Sequence, residues 1–315
     1  MEEKEFNSRP KKLHQFIGQE SIKEKIKVII ESAKKRKTPL DHILLSGPPG
    51  LGKTSMAYII ANELGKNIKI TSGPVLDKKG DLAGILSSLE DGDILFIDEI
   101  HRLNRAVEET LYSAMEDFKI DVVIGKGTSS RSIRLDLPKF TLIGATTRAG
   151  LLTPPLLSRF GIILNFDYYD EKSLSLIIKK TIEETDLHIT DEASLEIARR
   201  SRGTPRIAKM LTKRVIDYCT VEGIKNITER EAVKALDFFD IDENGLNILD
   251  RKYLEILVKK FKKRPVGLNT LISALSEDRY TIEEIIEPFL IRKGFIEKTS
   301  RGRIPTEKAE KLFKY

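Results

Sequence analysis

The 315-residue chain is 40% apolar and 32% charged, long enough for two or three packed units, each with its own core. No apolar run approaches the ~18 residues that cross a bilayer, the opening MEEKEFNSRPKKLHQF carries no secretory apolar core, and the single cysteine, Cys219, excludes an intrachain disulfide, so a reducing, cytoplasmic setting is expected. The net charge of +6 suits contact with phosphate backbones, yet lysine-rich surfaces also serve solubility or thermal stability, so charge alone decides little.

Over residues 40–165, short apolar runs alternate with helical patterns: HILLS at 42–46, a helix over 54–64, DILFID at 93–98, a helix near 106–116 and FTLIGA at 140–145. Strands covered on both faces read as continuous apolar runs, so the alternation predicts an α/β fold with a parallel sheet flanked by helices. Between 120 and 137 two alternating segments put Ile133, Leu135 and Leu137 on one face and Ser132, Arg134 and Asp136 on the other. That is a β-hairpin interrupting the βα rhythm, either a plain surface ribbon or a place where function concentrates.

Residues 171–239 are helical in spacing, with Thr190-Asp191-Glu192 and Thr228-Glu229-Arg230-Glu231 reading as N-caps followed by first-turn acids, and Cys219 as a small buried side chain. The polar, turn-rich stretch holding Asp240, Glu243 and Gly245 then opens a third unit. Its helical 270–275, a second helix from about Thr281 and the run 291–296 into Arg301-Gly302-Arg303 read as a winged helix. The expected organisation is a large α/β domain over 1–168, a small all-α domain over 169–239 and a winged helix over 240–315.

The strongest chemical signal is Gly47-Pro48-Pro49-Gly50-Leu51-Gly52-Lys53-Thr54, a phosphate-binding loop between a buried strand and a helix. Glycines let backbone N–H groups turn toward phosphate oxygens, and the helix start adds positive dipole. Lys53 is expected on the β- and γ-phosphates and the Thr54 hydroxyl on Mg²⁺. Ile94-Leu95-Phe96-Ile97-Asp98-Glu99 supplies the acidic element that hydrolysis needs, with Asp98 on the metal's water shell and Glu99 polarising the attacking water. None of His14, His42, His101 and His188 has the spacing or cysteine partners of a zinc ligand, so no transition-metal site is expected. His101 is either a neighbour in the site or an ordinary structural histidine, the latter being the stronger reading.

With Gly144-Ala145-Thr146-Thr147-Arg148, Ser158-Arg159-Phe160-Gly161 and Gly203-Thr204-Pro205-Arg206 added, these motifs resemble, in order, the Walker A, Walker B, sensor 1, arginine finger and sensor 2 of AAA+ ATPases. More narrowly, TSGPVLDKKGDLAGIL, LFIDEIHRLN, LIGATTRAGLLTPPL and RPVGLNTLISAL resemble the RuvB family of Holliday-junction branch-migration motors, over residues 9–306. The resemblance implies a DNA translocase of recombination and repair, using ATP and Mg²⁺. In it Thr147 touches the γ-phosphate or lytic water, Arg206 reaches phosphate from a proline-started helix, and Arg159 is lent to a neighbouring subunit's site. The family commonly has a further arginine where this chain has Leu157, so only Arg159 carries over.

The resemblance also implies nucleotide contacts from Arg9, Gly50, Leu51, Gly52, Ser55, Glu116, Asp117, Phe118 and Tyr169, with Pro10, Phe16 and Ile17 beside them. The implied partners are a hexamer of this chain, RuvA docked on the 120–137 hairpin, the RuvC resolvase and double-stranded DNA. In the wing, five basic residues (Arg292, Lys293, Lys298, Arg301, Arg303) stand against one acid, Glu297, and Lys298, Arg301 and Arg303 are the expected phosphate contacts. The preceding helix, with Glu283, Glu284 and Glu287, is a poor reader of a groove, which argues against a nucleotide-gated regulator that reads bases. Another AAA+ DNA machine, such as a clamp loader, is disfavoured by the hairpin and winged helix.

Overall fold

The computed structural model describes residues 9–124 and 131–313. They divide into two compact units, one running to Ser173 and including Thr204–Arg206, the other made of Leu174–Gly203 and the chain from Ile207 onward.

In the first unit the chain runs α1 (Glu20–Arg36), β1 (Ile43–Ser46), α2 (Lys53–Leu64), β2 (Ile68–Ser72), α3 (Lys79–Ser87), β3 (Ile94–Asp98), α4 (Arg105–Glu116), β4 (Lys119–Ile124), β5 (Arg131–Asp136), β6 (Thr141–Thr146), α5 (Pro154–Leu157) and β7 (Ile162–Asn165). Five strands form one parallel sheet in the order β2-β3-β6-β1-β7. The three inner strands are the continuous apolar runs, and Ile43, Leu44, Leu45, Ile94, Leu95, Phe96, Leu142 and Ile143 are all shut away from water. Because the strands are parallel, their C-terminal ends share one edge. The order sets the end of β6 between those of β1 and β3, with Ser46 level with Thr146 and Ile97 level with Gly144.

Helix α4 shows why the sequence folds as it does. Asn104 caps it by accepting the Val107 N–H at 3.0 Å, and Val107, Leu111, Ala114 and Met115 form one apolar face packed into the core beside β3. It delivers the chain to the expected hairpin, β4 antiparallel to β5, with Ile120 opposite Leu135. One face carries the ion pairs Arg134–Asp121 (2.9 Å) and Lys119–Asp136 (3.6 Å), whereas Ile133 and Leu135 on the other are exposed. Leu137, expected with them, instead turns into the core. The hairpin turn at 125–130 lies outside the described residues.

The second unit takes over within α6 (Glu171–Ile182) and holds β8 (His188–Ile189), α7 (Asp191–Arg200), most of α8 (Pro205–Val221), β9 (Asn226–Ile227) and α9 (Glu229–Phe238). Thr190 caps α7 as expected. The helices are joined by one parallel pairing, β8 with β9, too short for any alternation to reveal. Then follow α10 (Ile248–Glu255), continuing as π-helix to Lys260, α11 (Leu268–Leu275), a π-helical turn Thr281–Ile286 running into α12 (Glu287–Arg292), the antiparallel wing of β10 (Ile296–Thr299) and β11 (Gly302–Pro305), and α13 (Glu307–Lys311). Tyr253, Leu254, Leu271, Phe289, Leu290 and Phe295 make the core of this winged helix.

Candidate active site

The loop after β1 turns through three glycines in left-handed or related backbone, Gly47 (φ 141°), Gly50 (φ 79°) and Gly52 (φ 100°), geometry that side chains disfavour. It ends at the N-terminus of α2, whose cap position, Gly52, offers no side chain to the first free N–H groups. Lys53 is only 7% exposed, yet its ammonium donates to neutral acceptors, the carbonyls of Gly47 (2.6 Å) and Pro48 (2.8 Å). Burial pulls its pKa below the ordinary lysine value, while Glu99 and Asp98 oppose that shift. A buried cation beside uncapped N–H groups fits a phosphate group.

Several expected nucleotide residues gather on this loop. Phe16 packs against Gly52, where an added Cβ would meet its ring at 2.9 Å, and the Tyr169 hydroxyl donates to the Leu51 carbonyl at 3.2 Å. Tyr169 rather than Tyr168 is therefore the tyrosine at the loop. Arg206 donates its backbone N–H to the Gly50 carbonyl (3.3 Å) and lays its side-chain carbons against Gly50, with its head exposed. Arg9 stacks over the Tyr58 ring, 5.4 Å from its centroid. Thr54 and Ser55 follow Lys53 in the first turn of α2, both half-buried.

At the end of β3, Asp98 is half-buried and its carboxyl accepts the Glu99 N–H at 3.0 Å. Desolvation raises the Asp98 pKa, with the Glu99 N–H and Lys53 opposing the rise. Glu99 itself is left-handed (φ 47°, ψ 47°), a conformation costing an ordinary residue about 1–2 kcal/mol. The turn breaks the strand and aims the carboxylate sideways to β6, where the Thr147 hydroxyl donates to Glu99 Oε2 at 3.1 Å. His101 Nδ1 lies 3.1 Å from the same oxygen and 2.9 Å from Thr146 Oγ1. His101 is thus a neighbour of Glu99, the weaker of the two readings that its spacing from Glu99 left open.

Arg159 gathers a different group. Its guanidinium donates to Glu116 Oε2 (2.7 Å) and to the Pro155 carbonyl (2.7 Å), lies 4.7 Å from the Tyr112 ring centroid, and keeps a buried Nε with no partner. Tyr112 in turn donates to Glu108, a buried carboxylate that also takes the Thr153 hydroxyl. Met115, Glu116, Ser158 and Arg159 line a cavity of about 330 Å³. Of the expected trio at the end of α4, only Glu116 faces this cavity. Phe118, expected beside the nucleotide, is left-handed at φ 52° and half-buried, packing edge-on against Phe140 (5.8 Å) and near His42. Asp117 is the exposed C-cap of α4.

In the wing the structure removes Arg303 from the expected phosphate contacts. Its side chain is buried, and its Nε and Nη2 donate to the two oxygens of Glu287 at 2.7 and 3.0 Å, a bidentate pair inside the unit. This pairing, foremost, raises the Arg303 pKa. Glu283 and Glu287 face the wing, so those acids serve the fold rather than the helix surface. Lys298, half-exposed and about 3.8 Å from Glu283, and the exposed Arg301 remain at the wing's outside.

Three family models match nearly the whole chain: the Holliday junction DNA helicase RuvB P-loop domain over 8–166, the RuvB AAA lid domain over 169–242 and the RuvB C-terminal winged helix domain over 243–314. A Holliday junction branch migration complex subunit RuvB from Clostridium kluyveri is 54% identical over 311 residues, 99% of this chain and 89% of that protein. Among solved structures, the Thermotoga maritima RuvB Holliday junction branch migration motor is 52% identical, with a TM-score of 0.88 and 98% of each chain covered. A point mutant of that protein gives 53% identity and a TM-score of 0.89 over 98% of this chain and 99% of that one.

Proposed function

The chain belongs to the RuvB family, and from that premise we propose that it is the ATP-hydrolysing ring motor of Holliday-junction branch migration in recombination and repair. We take 1–168 as its ATPase domain, 169–239 as the lid and 240–315 as the DNA-binding winged helix. The observation that carries the reading is the meeting, at one sheet edge, of a buried, carbonyl-partnered Lys53 and a Glu99 carboxylate turned toward Thr147.

Bound ATP with Mg²⁺ supplies a phosphoanhydride whose cleavage drives movement and a cation that offsets the charge released. Lys53 and the N–H groups of the loop hold the phosphates, and Phe16, Tyr169 and Arg9 flank the nucleoside. Thr54 and Asp98 would hold the cation, being oxygen donors that suit a hard ion. Glu99 orients the attacking water and accepts its proton, with Thr147 fixing the carboxylate. Arg206 contacts phosphate within the subunit. Arg159 reaches the neighbouring subunit's site, so a hexamer is the active form.

RuvA docks on the hairpin, where Ile133 and Leu135 offer an exposed apolar strand face, RuvC joins the same junction, and Lys298 and Arg301 touch duplex phosphates. Such contacts are sequence-independent, as a travelling motor requires. The test is ATP-driven dissociation of a synthetic four-way junction, with and without RuvA. Partner-stimulated dissociation that disappears in Glu99→Gln supports the proposal; vigorous ATP hydrolysis without dissociation of any junction overturns it.

A further inference from the structure

We infer that His101 is a positioning residue of the hydrolytic site, holding one oxygen of the Glu99 carboxylate so that the other faces the attacking water. The inference rests on Glu99 being the water-orienting acid.

The argument begins with the backbone. The left-handed Glu99 is followed by the 3-10 turn Ile100–Arg102, closed by the Arg102 N–H on the Glu99 carbonyl at 2.8 Å. That turn folds residue 101 back over residue 99. It is clamped between two glycines: a Cβ on Gly73 would stand 2.5 Å from the Glu99 carbonyl oxygen, and one on Gly144 would stand 3.0 Å from both Ile100 and Phe160. The close packing leaves the imidazole, with 9% of its side chain exposed, one seat, between Glu99 and the end of β6.

The His101 Nδ1 stands 3.1 Å from Glu99 Oε2, close enough for the ring to bear on that oxygen of the carboxylate. The same nitrogen shares a hydrogen bond with Thr146 Oγ1 at 2.9 Å, and Thr146 also takes the Arg148 N–H at 3.0 Å, which ties the ring to β6. Burial lowers the His101 pKa, against the pull of Glu99. Thr147 donates to the same Oε2. A hydroxyl donor and an imidazole from different elements thus meet at one oxygen, which limits the carboxylate's rotation and turns Oε1 away from both. A base misplaced by about 1 Å costs up to ~10²-fold in rate.

The test compares full-length wild type, His101→Ala, His101→Asn and Glu99→Gln by steady-state ATP hydrolysis, with ADP titrations and thermal unfolding alongside. Asparagine is the informative variant, because its Nδ2 sits where Nδ1 does. The expected result is a kcat lowered roughly 10- to 100-fold in His101→Ala, with KM for ATP and the ADP affinity within about two-fold of wild type, and most of the kcat restored in His101→Asn. If the alanine variant does not fold, near-wild-type turnover in His101→Asn carries the proposal. A kcat of at least half in His101→Ala, a loss matched by equal loss of ADP affinity, or no rescue by asparagine overturns it. Activity retained in Glu99→Gln would overturn the hydrolytic assignment of Glu99 as well, which separates the two failures.

Discussion

Lys53 in the phosphate-binding loop and Arg303 in the wing are equally hidden, each 7% exposed, yet one has only carbonyls for partners and the other a buried carboxylate at 2.7 and 3.0 Å. The contrast teaches that burial of a cation says little until its partners are named. A lysine hydrogen-bonded only to carbonyls, with Glu99 and Asp98 acting on it from a distance, keeps its donors ready for a phosphate, whereas an arginine clasped by Glu287 has already spent them and serves the fold. Arg159 lies between them: Glu116 holds one nitrogen at 2.7 Å, but the buried Nε is unpartnered and the head lines an open cavity.

The variants that test this contrast differ widely in expected effect. Arg159→Ala should lower ATP turnover about 10³-fold in assembled rings, measured at saturating ATP, while leaving nucleotide binding by the subunit intact. Lys53→Met should cost about 10²–10³-fold in turnover with little loss in melting temperature, since it removes a buried charge that no carboxylate hydrogen-bonds. Arg303→Met should do the reverse, lowering unfolding stability by about 3 kcal/mol in denaturant titrations because Glu287 is stranded at 2% exposure. A drop in melting temperature for Lys53→Met as large as that for Arg303→Met would break the comparison. The smallest effect belongs to Arg301→Ala, which should reduce the salt dependence of duplex binding by about one unit of slope without changing stability.

What could be read from the sequence follows from the same physics. The inner strands β1, β3 and β6 are covered on both faces, so they appear as unbroken apolar runs, and the phosphate-binding loop is a local backbone motif that spacing alone specifies. The edge strand β2 is hidden because Ile70 stays 43% exposed between the polar Lys69 and Thr71, whereas β7, with Ile163 45% exposed, is an apolar run of only three residues, Ile162 to Leu164. The placement of Phe118 and His101 has another cause: each depends on a left-handed residue, at 118 itself and at Glu99, that redirects a side chain without any compositional mark. Arg303 was misread because a basic stripe counts charges along the chain, and its partner Glu287 is 16 residues away. Local chemistry is legible in sequence, and long-range pairing is what the fold adds.

The most direct test of a motor whose sites are completed between subunits mixes two inactive variants. Arg159→Ala supplies an intact Glu99 and Glu99→Gln an intact Arg159, so random equimolar rings should regain roughly a quarter of the working sites. Hydrolysis in the mixture well above the sum of the separate variants is the predicted result. A mixture no more active than its components would contradict the shared site and confine catalysis to groups within one chain.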